Sequence, residues 1–154
     1  MQREWLDRLP FDIYSVNVHT GAKRLIGRSY RTAPKWSVNG KWAVMYDPIA
    51  QVWNKFDGAT GKVVNISDAI GYPMFVESYD KPAPAPAYGI AGWTADGNNV
   101  FLYDAYDWWK IDLTGERQPE CLTKGYGRKH GKSIRKMTSN IDKDVFQKDE
   151  TVIV

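Results

Sequence analysis

Short apolar runs divided by polar turns recur along this chain. Ala43-Val44-Met45-Tyr46 follows Ser37-Val38-Asn39-Gly40-Lys41, and Val100-Phe101-Leu102-Tyr103 follows Thr94-Ala95-Asp96-Gly97-Asn98. Trp36 and Trp93, Gly40 and Gly97, Tyr46 and Tyr103, and Asp47 and Asp104 are each 57 positions apart. Apolar runs this short, bounded by turn residues, read as strands. Asn39-Gly40 and Asp96-Gly97 mark hairpins, because glycine accepts positive φ without steric cost. The first unit, 33–67, then holds strands near 33–36, 41–46, 51–57 and 62–66. The second, 89–123, holds strands near 89–93, 99–104, 108–113 and 119–123. Four short antiparallel strands, repeated at a period of this order, predict β-propeller blades.

The rest of the chain fits around these two units. Asp12 to Val18 predicts a strand, Thr20-Gly21 a turn, and Arg24 to Ile26 the start of another strand. That pattern matches Val52 to Gly61 and Trp109 to Gly115, so 12–31 reads as the second half of a blade. Residues 2–9 predict one or two amphipathic helical turns with Trp5, Leu6 and Leu9 on one side. Between the units, 68–88 contains Lys81-Pro82-Ala83-Pro84-Ala85-Pro86-Ala87. Alternating proline removes backbone donors and favours an extended conformation, so a stiff connector is expected ahead of a PxxP-type ligand. The stretch 124–154 reads as a loop, Gly125 to Arg128, and the start of a further blade, with strand pieces at Asp144 to Gln147 and Thr151 to Val154. The final Val152-Ile153-Val154 would leave a bare edge strand, which leads to the expectation that both ends are cut from a larger protein. The fold class expected is all-β: a β-propeller fragment of about two complete four-stranded antiparallel blades with partial blades at both ends.

Composition narrows the functional classes. A length of 154 residues favours one domain, and 43% hydrophobic content supports a core. Seven tryptophans and nine tyrosines suit pleated, half-buried surfaces. A net charge of +3 with mixed signs lacks the clustered footprint that nucleic acid requires. The densest basic run, Lys124 to Lys136, reads as a solvated loop, with a patch for an acidic partner or neighbouring domain as the alternative. Cys121 stands alone, which excludes an internal disulfide framework and predicts a buried strand thiol. No apolar run approaches the ~18 residues of a membrane span. Arg3, Glu4, Asp7 and Arg8 do not make a signal peptide, and the compartment stays open.

Most candidate chemistry fails on spacing. A serine hydrolase elbow, Gly-x-Ser-x-Gly, is absent, and Gly27-Arg28-Ser29-Tyr30-Arg31 lacks its second glycine. Only His19 and His130 offer imidazoles. Gly127 to Ser133 invites a phosphate-loop reading, but three residues separate Gly127 from Gly131 where four are needed to wrap a phosphate. Asp104, Asp107 and Asp112 lack calcium-loop spacing and read as turn caps. Cysteine and histidine are too few for structural zinc. Asn65-Ile66-Ser67 matches a glycosylation sequon on a strand. The adjacent Trp108 and Trp109 point to opposite sides of a strand, so one packs between blades and the other meets solvent or a partner. Tyr106, Trp108 and Arg128 therefore form the candidate binding surface; no catalytic, cofactor or metal residue is assigned.

The run Tyr88 to Thr94, then Tyr103 to Asp112, then Leu122 to Lys129, resembles the propeller region of bacterial prolyl oligopeptidase-family serine peptidases of the acylaminoacyl-peptidase or dipeptidyl-peptidase type. The Trp-Ser-Val-Asn-Gly-Lys turn at 36–41 is similar to the Phe-Ser-Pro-Asp-Gly-Lys turn of TolB-like and peptidase propellers. The likeness covers roughly 12–130. It implies a parent protein in which a propeller limits peptide access to a C-terminal α/β-hydrolase domain. No position here matches that domain's Ser, Asp and His motifs, nor the acidic pair that holds a substrate amino terminus in dipeptidyl members. The expected role is thus non-catalytic gating, with the peptide substrate belonging to the parent. The alternative is a stand-alone protein- or carbohydrate-binding propeller module. Unpaired strand edges lead to the expectation that the chain self-associates.

Overall fold

The computed structural model describes residues 9–137 and 144–154. The described residues form an all-β arrangement with one short α-helix. Strands β1 (Phe11–Val16) and β2 (Lys23–Tyr30) form an antiparallel hairpin. Strands β3 (Lys35–Trp36), β4 (Trp42–Asp47), β5 (Val52–Asp57) and β6 (Val63–Asn65) form a four-stranded antiparallel meander in chain order. Strands β7 (Ile90–Thr94), β8 (Asn99–Tyr103), β9 (Trp108–Asp112) and β10 (Glu120–Cys121) repeat that meander. A fifth strand, β11 (Val145–Phe146), joins the second sheet beside β7, in parallel. The two meanders match the strands expected in 33–67 and 89–123; the amphipathic turns expected at 2–9 lie outside the described residues up to position 8.

Period-two alternation explains the packing. On β4, Trp42, Val44 and Tyr46 face the second sheet, while Ala43 and Met45 face the hairpin. On β8, Val100 and Leu102 meet the first sheet, while Phe101 and Tyr103 enter a core on the far side. Both faces of these central strands are covered, so their apolar runs are continuous rather than alternating with polar residues. Hairpin, first sheet and second sheet therefore stack face to face in chain order, with a core at each junction. Each large apolar side chain so buried contributes roughly 2 kcal/mol. Lys55 adds a polar tie across the central junction, donating to the Leu113 carbonyl at 2.6 Å.

The repeated turns are built alike. Asn39 Oδ1 accepts from the Ser37 hydroxyl and the Lys41 N–H, and Ser37 Oγ accepts from the Trp42 N–H. At the equivalent positions, Asp96 Oδ1 accepts from Thr94 and Asn98, and Thr94 Oγ1 accepts from the Asn99 N–H. Gly40 and Gly97 occupy the left-handed region at φ 68° and 69°. The two turns also touch: Asn39 Nδ2 donates to the Asp96 carbonyl at 2.9 Å. A Cβ on Gly97 would lie 2.7 Å from the Asn39 amide nitrogen, so this approach needs glycine.

Three segments depart from expectation. The connector 68–88 is a folded flap rather than a stiff spacer. A short 3-10 turn at Asp68–Ile70 delivers Ile70 and Met74 into the central core. The chain then doubles back, with the Val76 N–H donating to the Pro86 carbonyl and the Tyr88 N–H to the Met74 carbonyl. Gly125 to Arg128, expected as a loop, enters helix α1 (Tyr126–His130). Within 124–154, the strand piece expected at Asp144 to Gln147 forms as β11, which lies along the β7 edge of the second sheet. There the Trp93 N–H donates to the Asp144 carbonyl at 2.7 Å and the Ala95 N–H to the Phe146 carbonyl at 2.9 Å. Those two donors would otherwise stand at an open sheet edge. Residues 151–154 form no strand, although Val152 packs on the outer core.

Candidate functional site

Two features of the folded chain combine burial with polar chemistry. The first is a carboxylate node at the end of β8. Asp47 and Asp104, equivalent in the repeat, cap the same turn. Asp47 Oδ1 accepts from the N–H groups of Ile49 and Ala50, and Asp104 Oδ1 accepts from those of Tyr106 and Asp107. Among the described residues, only in the second copy is the other oxygen also engaged: Asp104 Oδ2 accepts from Trp109 Nε1 and from Arg128 Nη2, each at 3.0 Å. Burial is the largest influence on Asp104 and would raise its pKa. The N–H groups of Asp107, Trp109 and Tyr106, with the Arg128 guanidinium, outweigh it and hold the carboxyl below its ordinary value. Asp107, also buried, accepts from the Thr123 hydroxyl and from the N–H groups of Gly127 and Arg128, which pins the start of α1. The turn-cap reading of these aspartates thus describes their contacts, and Asp112 does likewise for Thr114, Glu116 and Arg117.

The structure brings Tyr106 and Arg128 together but removes Trp108 from them. The Arg128 guanidinium lies 3.8 Å from the centre of the Tyr72 ring and 5.1 Å from that of Tyr106. Trp108 is 5% exposed, packs edge-on against Tyr103, and donates through Nε1 to the Ile134 carbonyl. Trp108 and Trp109 do face opposite sides of the sheet, but each side is covered, so Trp108 does not serve as an exposed platform. Within the basic run, Arg128 and Arg135 turn inward. Arg135 donates to the Asp104 and Ala105 carbonyls and lies over the Tyr103 ring, and its pKa is lowered by burial. Lys124, Lys129 and Lys132 remain on the solvated surface.

The second feature was not singled out by sequence: a cleft of about 590 Å³ between the first sheet, the 68–88 flap and the start of β7. Val44, Tyr46, Trp53 and Ile90 line it from the sheets, and Tyr79, Pro84 and Pro86 line it from the flap. The alternating prolines, read as a spacer, form its wall. The flap is held there by the Tyr46 hydroxyl, which donates to the Ala85 carbonyl at 3.1 Å. Burial, with the Asp47 carboxylate adding to it, pushes that phenol up to about 12, so it stays a donor across the physiological range. Trp53 stacks at a tilt on Tyr46 with ring centres 5.5 Å apart. Its indole N–H is buried and meets no acceptor among the described residues. Arg31 and Lys35 supply positive charge to the cleft, and no aspartate or glutamate lines it.

Neither feature holds a recognisable catalytic set. His19 is exposed in a turn, and His130 stacks on Tyr126 with ring centres 4.2 Å apart. Among the described residues, no serine or cysteine side chain is hydrogen-bonded to a histidine ring, and no group of three or more His, Cys, Asp or Glu could hold a metal ion. Cys121 is half-buried rather than buried, its sulfur accepting from the Gly125 N–H. No helix among the described residues is long and apolar enough to cross a membrane. Comparison of the chain with protein-family models, curated proteins and solved structures yields no match.

Proposed function

We propose that this chain is a non-catalytic β-propeller segment of a prolyl oligopeptidase-like serine peptidase, in which it limits substrate access to a hydrolase domain carried elsewhere on the parent. The observation that supports this most is the stacking of a hairpin and two equivalent meanders in chain order, with equivalent turns in contact at a 57-residue offset. Adjacent propeller blades pack in that manner, each sheet running outward from an inner edge strand. The motif likeness of Tyr88 to Lys129 supplies the family. A stand-alone binding module is the second reading, favoured by the aromatic cleft.

The two separate on one experiment. An antibody raised against these residues recovers the native polypeptide from its source, which is then treated with a fluorophosphonate that phosphonylates activated serines. Labelling of the native polypeptide, with none on the 154-residue chain alone, is the expected result. A native polypeptide that takes up no label overturns the peptidase reading and favours the binding module.

A further inference from the structure

We infer that the cleft between β3, β7 and the proline flap is a binding site for the carboxyl-terminal end of a short apolar peptide. The inference needs neither a hydrolase domain nor a closed propeller, since it concerns binding by this chain alone.

Three observations point to that occupant. First, the cleft is large and apolar-walled: about 590 Å³, within the ~300–1,000 Å³ typical of small-ligand sites, with Tyr79, Pro84, Pro86 and Ile90 partly exposed over a buried floor of Val44, Tyr46 and Trp53. Second, its charge is one-sided. Arg31 and Lys35 have no carboxylate partner among the described residues, and no acid lines the site, so a ligand carboxylate meets two unneutralised cations. Third, the cleft is short of acceptors. The indole N–H of Trp53, a residue of its lining that is 6% exposed, makes no hydrogen bond with described residues. A buried donor without an acceptor is uncommon enough to call for one. With the carboxylate facing the cations, a peptide still offers backbone carbonyls to that donor; a simple apolar acid supplies only its carboxylate.

The test is calorimetric titration of the full chain with N-acetyl-Ala-Leu-Phe bearing a free carboxylate, with its carboxyl-terminal amide, and with 3-phenylpropionate. The free acid is expected to bind. The amide should bind roughly tenfold more weakly or worse, the usual effect of losing a charge-assisted hydrogen bond. The double variant Arg31→Gln/Lys35→Gln should bind acid and amide alike, while Lys148→Gln, an exposed cation outside the cleft, keeps the preference. Neither cleft cation's side chain has a hydrogen-bond or ion-pair partner among the described residues, so the double variant retains the fold. Absence of binding by the free acid, equal binding of acid and amide, or 3-phenylpropionate binding as tightly as the peptide would each overturn the inference.

Discussion

Asp104 has no exposed surface, yet its carboxylate serves two backbone donors, one indole and one guanidinium. Replacing it with Asn keeps an acceptor for the turn but sets an amide NH₂ against two donors. The broken buried pair should cost on the order of 3 kcal/mol; Arg128, 30% exposed at its side chain, can rehydrate and keeps the cost at the low end. The pH dependence has a definite sign. The folded carboxyl titrates below its ordinary value, so its stabilising contribution is full above about 3.9 and is lost as pH falls from there through the lower folded value. Urea midpoints from pH 7 to pH 3 should therefore show wild type well above D104N at neutrality and the gap closing in acid. A gap that is constant with pH would mean the charge contributes nothing. Half of this node is legible in the sequence. An aspartate two and three residues before its donors is a local turn signal, and it occurs in both repeats. The Arg128 contact is not legible, because its partner is 24 residues away and α1 must form before the guanidinium can arrive.

At the scale of elements, local pattern marks β11 as a strand piece but does not show its partner. Apolar runs between Asn-Gly or Asp-Gly turns carry enough information to set the meanders, because each strand pairs with its chain neighbour. The pairing of β11 with β7 is parallel and non-local, and only two residues form it. Its one sequence trace is Gly92. A Cβ there would lie 2.7 Å from the Asp144 carbonyl oxygen and close to the Phe146 ring, whereas the equivalent position in the first repeat is Lys35. The first sheet is consequently not shaped to take the same parallel strand, and Pro34, which has no N–H, blunts its edge instead. Gly92→Val should therefore detach β11 while leaving both meanders intact. Hydrogen exchange should report faster exchange at the Trp93 and Ala95 amides and unchanged exchange at β4 and β5, with a stability loss of roughly 1–3 kcal/mol. Unaltered protection at those two amides would mean that β11 does not depend on the close approach. The proline flap shows the same limit of local pattern. Alternating proline predicts an extended backbone, and its segment is irregular, but the return of Pro86 to Val76 depends on Ile70 and Met74 finding the central core.

At the scale of the whole molecule, the stack is asymmetric. The outer face of the second sheet is covered by Phe146, Ile134 and Val152. The hairpin at the other end buries one face on the first sheet and leaves the other in solvent. Tyr14 and Val16, two residues apart on β1 and hence on one face, are 51% and 52% exposed, and Val18 beyond them is 87% exposed. A two-stranded hairpin is marginal without a partner on its apolar positions. Its β1 edge pairs with no other described strand, so a second copy can both extend the sheet and cover these side chains. The chain should accordingly sediment as a dimer or larger species at tens of micromolar. The double variant Tyr14→Lys/Val16→Lys should return it to 17.6 kDa, since lysines on an edge strand oppose strand addition. Both side chains are half-exposed and neither belongs to a core cluster, so the variant leaves the stack intact. Sedimentation of the wild type as a monomer across this range would mean that the hairpin's exposed face is stable in water. A dimer that survives the lysines would move the contact away from β1, to the unpaired edge of β3, where Trp36 is 55% exposed.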